Sequence, residues 1–215
     1  MALRVGLIVP VYKNFEGFTR LMGTVDHTVI PLIHPNYIYN EGVSVAWNSQ
    51  LERAVDLRCD VALVVNDDVT FTFEGTIHKL VTAIRDKGFD LVSGINARDT
   101  EPEDLYGSSY PTDQEPDFSC FAVQPESFLE KFGKFDEAFS PAYFEDNDMA
   151  YRLKLAGAKV ARLRYAPHYH AGSITQNWGG QQVVTGPMFR ANEAYYIGKW
   201  GGRPGQETHT TPFGA

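Results

Sequence analysis

The sequence predicts an α/β domain: a mostly parallel central sheet flanked by helices. Three observations predict it. Short apolar runs recur at residues 5–9, 61–65 and 91–95, as expected of strands buried on both faces. Helical periods lie between them, and strands alternating with helices give a layered α/β domain. At 215 residues with 43% hydrophobic and 21% charged residues, the composition is globular and the length suits one domain. A chain of this size buries roughly 70% of its unfolded surface, so no disulfide staple is needed.

The first strand, Val5-Gly6-Leu7-Ile8-Val9, ends at Pro10. Val43, Trp47, Leu51 and Ala54 then fall on one helical face. The second run, Val61-Ala62-Leu63-Val64-Val65, stops at Asn66-Asp67-Asp68. Ile77, Leu80, Val81 and Ile84 repeat the helical pattern, with Gly88 where a helix ends. Leu91-Val92-Ser93-Gly94-Ile95 is the third run. Residues 98–117 are polar, acidic and rich in Pro and Gly, a long loop of the kind that is functional or mobile. Pro125 opens a helix with Phe128, Leu129 and Phe132 on its face, and Gly133 stops it. Another helix is predicted from about Glu145 to Ala156, capped by Gly157. Val160-Ala161-Arg162-Leu163 reads as a strand before Pro167. The tail beyond residue 170 is rich in Gly, Gln and aromatics.

Composition excludes several classes. Cys59 and Cys120 are too far apart for a Cys-rich zinc module, and a disulfide scaffold is out. Both lie in apolar stretches and read as buried free thiols, so a reducing, cytoplasmic compartment is expected. The net charge of −8 argues against a non-specific phosphate-binding surface. No apolar run reaches membrane-spanning length, and the start has no signal-peptide layout.

In open α/β sheets, ligands bind beyond the carboxyl ends of the strands. That places Pro10, Val11 and Tyr12 and the Asn66-Asp67-Asp68 turn at a site. Adjacent carboxylates there repel unless a cation neutralises them. Mg²⁺ and Mn²⁺ take oxygen ligands, often one or two carboxylates plus substrate phosphates; the competing reading is a solvated turn. The second acidic cluster is Glu145-Asp146-Asn147-Asp148. Its acids complement a helix dipole, and Asp148 sits four residues before Arg152; one of them could instead be a general base. His168 and His170 alternate onto one face.

The order of these pieces resembles family 2 glycosyltransferases with the glycosyltransferase-A fold. Pro10-Val11-Tyr12-Lys13-Asn14 resembles that family's opening. Asn40-Glu41-Gly42, followed by a helix carrying Asn48, is similar to its N-x-G turn, and Asn66-Asp67-Asp68 resembles its D-x-D motif. Gly133-Lys134-Phe135-Asp136-Glu137, then Phe144-Glu145-Asp146-Asn147-Asp148, resembles its G-x-F-D-E and F-E-D-x-D block. His170-Ala171-Gly172-Ser173 is similar to its H-x-G-S segment. Two departures stand out: no Asp follows the second strand in residues 28–35 to read a nucleobase, and Asn66 replaces the first acid of D-x-D.

The resemblance implies one glycosyltransferase-A domain over residues 1–215. Residues 1–95 would be the nucleotide-sugar-binding half, 118–170 the acceptor and catalytic half, and 171–215 a C-terminal tail or lid. It implies a metal-dependent, inverting transfer of a sugar from a nucleotide-diphosphate donor to an acceptor hydroxyl. Asp68 and His170 would hold Mn²⁺ or Mg²⁺. Asp146 would be the base, ionised by the helix dipole, with Glu145 and Asp148 orienting it or binding the acceptor. Pro10, Val11, Tyr12, Asn40, Asn48, Asn66 and Asp67 would surround the donor nucleotide. A glycan, lipid-linked sugar, protein, small molecule or modified nucleic-acid base would be the acceptor. In the tail, Trp178-Gly179-Gly180 reads as a hinge, and Lys199 or Arg190 as a diphosphate partner; the competing reading is a packed C-terminal helix. A nucleotidyltransferase making nucleotide sugars would carry a glycine-rich loop after the first strand, and residues 10–15 have none. A non-catalytic sugar- or nucleotide-binding module is the other alternative.

Overall fold

A computed structural model describes residues 3–37, 39–99, 115–172 and 183–215. Seven strands form one sheet: β1 (Val5–Pro10), β2 (Ile30–His34), β3 (Val61–Val65), β4 (Val69–Thr70), β5 (Leu91–Asn96), β6 (Cys120–Val123) and β7 (Val160–His170). Their order is β2-β1-β3-β6-β5-β7-β4. Six helices accompany them: α1 (Phe15–Gly23), α2 (Val43–Asp56), α3 (Thr76–Lys87), α4 (Pro125–Phe132), α5 (Glu145–Leu155) and α6 (Gly186–Trp200).

Strand alternation sorts the core. Leu7, Val9, Leu63 and Val65 face one side, against Leu21 of α1 and Ile77, Leu80 and Ile84 of α3. Ile8, Ala62 and Val64 face the other, against Trp47 and Leu51 of α2, Phe128 of α4 and Met149 and Leu153 of α5. Both faces are covered, which is why the strand runs are apolar throughout. Cys59 and Cys120 are buried free thiols, and burial pushes the Cys120 thiol well up.

The helices read from periodicity form where the local signals put them. Gly88 ends α3 in a left-handed conformation (φ 66°), and Pro125 opens α4 with Gly133 closing it. Helix α1 begins at Asn14, whose side chain accepts the N–H of Gly17 as an N-cap.

The sheet is mostly parallel as expected, five of its seven strands running one way, and is made mixed by β6 and β4, which run against them. β2, β1 and β3 are mutually parallel, as are β5 and β7, but β6 runs antiparallel to both β3 and β5. The chain leaves the carboxyl end of β5 and enters β6 at that same end of the sheet, as the pairing of Val65 with Cys120 and Ser93 with Phe121 shows. A parallel return would need a crossover to the opposite end. β7 also runs past Pro167 to His170. The proline is accommodated because the pairing with β5 shifts register between Ser93 and Ile95, and strands accept proline at such irregularities.

The tail packs as helix α6. Tyr196 and Trp200 join Phe139 and Phe144 in a third, aromatic cluster. The Trp178-Gly179-Gly180 hinge lies outside the described residues. Among the described residues, no helix is long and apolar enough to cross a membrane.

Candidate active site

The carboxyl ends of β1 and β3 open into a cavity of about 310 Å³. Pro10, Tyr12, Asn40, Asn66, Asp67, Asp68, Glu145, Asp146 and His170 all line it. Residues from both ends of the chain therefore meet in one space.

The Asn66-Asp67-Asp68 turn follows β3 directly. Asp67 is buried and tied to the first loop: its carboxylate accepts the Tyr12 N–H (3.2 Å) and the Asn14 amide (3.2 Å). A side chain on Gly17 would collide with that amide and come within 2.6 Å of the Asp67 carbonyl, so the glycine keeps room for the clamp. Asp68 meets His170, Oδ1 to Nε2, at 3.0 Å. Backbone pairing makes this contact, because Val69 of β4 pairs with His170 of β7 and the Ala171 N–H donates to the Asp68 carbonyl. Asn96 holds the other side, accepting the His170 N–H at 3.1 Å.

A carboxylate oxygen beside an imidazole nitrogen suits Mn²⁺ or Mg²⁺ when diphosphate and water complete the shell. Among the described residues no group of three or more His, Cys, Asp and Glu could hold a metal ion; Asp68 and His170 offer two donors. The donor set fits a cation shared with a substrate. His168 sits apart, fully buried beside the Ser119 hydroxyl (3.0 Å). Burial pushes it down to about 4, so it stays neutral. A Cβ on Gly94 would come within 2.5 Å of its Nδ1.

The second acidic cluster begins α5 after a strained turn. Tyr143 and Phe144 both have positive φ (78° and 75°), uncommon for bulky residues and costing of order 1–3 kcal/mol each. Helix α6 holds them: Asn192 donates to the carbonyls of Ala142 (2.9 Å) and Tyr143 (3.2 Å), and Phe189 packs on both rings. Glu145 lines the cavity at 6% exposure, and its buried Oε2 has no hydrogen-bond partner. Burial first, then the neighbouring Asp146, drives its carboxyl well above the usual range. Asp146 is half-buried and accepts the Asn147 N–H at 2.8 Å. Its carboxyl is also raised, chiefly by burial. The helix dipole expected to favour its ionised form is thus outweighed by desolvation.

Three sequence-derived candidates lie off the cavity. Val11 points into the hydrophobic core. Asn48 is buried and braces the 133–137 turn, donating to the Phe135 carbonyl and Glu137 and accepting the Phe135 N–H. Asp148 has no exposure at all; it receives Arg152 (2.9 Å), Lys199 (2.6 Å) and the Trp200 indole N–H (2.8 Å). Lys199 also meets Asp136 at 2.7 Å, so it is committed to carboxylates and not to a diphosphate. Arg190 is exposed and absent from the lining. Ser173 of the H-x-G-S segment lies outside the described residues.

The lining also includes Asn36, Trp47, Ser119 and Tyr143, which sequence reasoning did not single out. Asn36 stands where no acid follows β2. A signal existed for Asn14, the residue before an amphipathic helix, but none marked Asn96 or Asn192.

No protein-family profile matches this sequence, and no curated protein matches it. Solved structures do. S. aureus TarS 1-349 in complex with UDP superposes with a TM-score of 0.59 at 12% identity, covering 92% of this chain and 71% of that one. GalNAc-T7 with UDP, GalNAc and Mn²⁺ gives 0.61 at 11% identity, covering 92% and 48%. TarS 1-349 with UDP-GlcNAc gives 0.57 at 13%, covering 79% and 58%. Both neighbours are glycosyltransferases of the glycosyltransferase-A type. This chain has the glycosyltransferase-A fold. The glycosyltransferase-A likeness extends over nearly the whole of this chain, which itself spans less than two thirds of the last two neighbours.

Proposed function

We propose that this chain is a divalent-metal-dependent glycosyltransferase that moves a sugar from a nucleotide-diphosphate donor to an acceptor hydroxyl with inversion. One observation carries the reading: four carboxylates and no Lys or Arg line the cavity. All 19 Lys and Arg lie among the described residues, since residues 1–2, 38, 100–114 and 173–182 contain none. A diphosphate entering this cavity therefore meets carboxylates with no Lys or Arg to offset them, which a cation arriving with it would do. The neighbours' bound UDP and UDP-GlcNAc, and the Mn²⁺ of GalNAc-T7, agree with that reading.

Asp68 and His170 would hold the cation, and Asn96 fixes the His170 backbone. When bound, the cation would offset the charge gathering on the departing diphosphate. Asp67 locks the Tyr12 loop, so that Pro10, Tyr12, Asn40 and Asn66 form a preformed nucleoside wall. The anomeric carbon loses the diphosphate oxygen and gains the acceptor oxygen; Asp146 takes the hydroxyl proton. Asp146 serves because the alternatives are occupied. Asp148 is bonded to three donors away from the cavity, and burial drives the Glu145 carboxyl well above the usual range. Asp146 is the less buried of the two adjacent carboxyls, and the Asn147 N–H supports its charged form. A base on the acceptor side gives a single displacement and inversion.

A panel of nucleotide sugars, assayed for nucleoside diphosphate release with Mn²⁺ and with chelator, tests this. Release from at least one donor, abolished by chelator, is the expected result. Release undiminished by chelator, or none from any donor, would overturn it.

A further inference from the structure

The glycosyltransferase reading leaves the acceptor open; this inference rests on that reading and adds the acceptor's chemical class. We propose that the acceptor is an electrically neutral saccharide, seated with a sugar face on Tyr143 and its hydroxyls toward Asp146.

Charge is the first reason. Asp67, Asp68, Glu145 and Asp146 line the cavity without a Lys or Arg. Lys13 lies over the Tyr12 ring and Arg98 is bonded to the Ala171 carbonyl; neither lines the cavity. A cation held by Asp68 and His170 would be matched to the donor's diphosphate. A phosphate or carboxylate on the acceptor would face Asp146 with no Lys or Arg in the lining to offset it. That disfavours lipid phosphates and nucleic acid alike.

Shape and surface chemistry are the second reason. Tyr143 stands in the cavity wall two residues before Glu145, in a backbone conformation that bulky residues avoid. The fold maintains it there, with Asn192 gripping its carbonyl and the Phe189 ring 5.4 Å away. Phe189 stays 39% exposed, which extends the apolar surface from Tyr143. An aromatic face carries negative charge density and attracts the polarised C–H face of a pyranose. The sugar's edge then offers hydroxyls to the carboxylates.

The third reason is the polar lining. Asn36, Asn40, Asn66 and Asp146 line the same cavity. Amides donate and accept, and a carboxylate accepts. A hydroxyl-rich ligand both donates and accepts, as such a wall requires. A peptide serine brings one hydroxyl, and a prenyl phosphate brings charge.

The test uses the full chain with Mn²⁺ and whichever donor releases nucleoside diphosphate. Acceptor probes are neutral methyl pyranosides and disaccharides, the matching 6-phosphates and uronates, a Ser/Thr peptide and a prenyl phosphate. Transfer to neutral sugars is expected, with the 6-phosphates showing an acceptor KM at least about tenfold higher. Tyr143→Ala should raise the acceptor KM about tenfold and the donor KM much less; Tyr143→Phe, which keeps the ring, should shift the acceptor KM less than Tyr143→Ala. If Tyr143→Ala does not fold, Tyr143→Leu, which keeps bulk but loses the aromatic face, carries the same expectation. Phosphorylated sugars, peptide or prenyl phosphate accepted as well as neutral sugars would overturn the proposal. So would unchanged acceptor KM in the folded variant. Absence of nucleoside diphosphate release from every donor would instead sink the glycosyltransferase reading itself.

Discussion

Glu145 and Asp148 are both buried carboxylates in the first turn of α5, and their surroundings are opposite. Asp148 turns toward α6 and receives Arg152, Lys199 and Trp200. Glu145 turns toward the cavity, leaves Oε2 unpaired and has Asp146 as its neighbour. Breaking a partnered buried charge is costly because its partners are stranded. An unpartnered buried carboxyl is a cost already present, and such perturbed groups gather at functional sites. One helical turn thus carries a structural face and a chemical face.

The largest expected effects lie on the chemical face. Asp68→Ala should abolish turnover and weaken nucleoside diphosphate binding in the presence of Mn²⁺, measured by calorimetry. Asp146→Asn should lower the transfer rate by about 10²–10⁴ while donor binding and melting temperature hold. Substantial transfer by Asp146→Asn alongside a dead Glu145→Gln would reassign the base.

Next comes the structural face. Asp148→Ala should destabilise the fold by about 3–5 kcal/mol, because Lys199 and Arg152 would be left facing a void. Urea unfolding measures this; a stable but inactive Asp148→Ala would erase the distinction between the two faces.

Glu145→Gln should do the reverse and raise the melting temperature at neutral pH. Burial lifts the folded-state pKa of Glu145 above its unfolded value, so the folded chain holds the proton more tightly. The stability linked to that proton is complete below the ordinary carboxylate range and is lost as pH rises through the folded pKa. Glutamine escapes that loss. The gain should be about 2–4 °C per kcal/mol recovered and should vanish in acid. Equal gains at both pH values would show that ionisation is not the cause.

The smallest effect is a displaced titration. Burial raises Asp146, and a base must be ionised to act. The acid limb of the kcat profile should therefore lie at higher pH than for an ordinary aspartate. A limb in the ordinary range would argue that the cavity admits water around Asp146.

Much of the frame was legible because its signals are local. Apolar runs marked β1, β3 and β5, and periodicity with Gly and Pro punctuation marked α2 to α5. The antiparallel pairing of β6 was not legible, since strand direction depends on the end of the sheet at which the chain re-enters. Nor was the extension of β7 past Pro167, which needs the register shift against β5. Within the site, Asn66-Asp67-Asp68 stood out as acids after a strand. Asn192 did not, because an amide in a helix is unremarkable until the carbonyls it holds are seen.

The sequence by itself determined the strands and helices, the acidic character of the site and the absence of any cationic residue in the undescribed segments. These follow from the order and kind of side chains, which need no knowledge of distant contacts. Only the tertiary structure decided that Asp68 meets His170, that Lys199 serves Asp148 rather than a phosphate, and that Glu145 Oε2 is left unpaired. The physical reason is that periodicity belongs to one element, whereas the state of a buried charge depends on what other elements bring within a few ångströms of it.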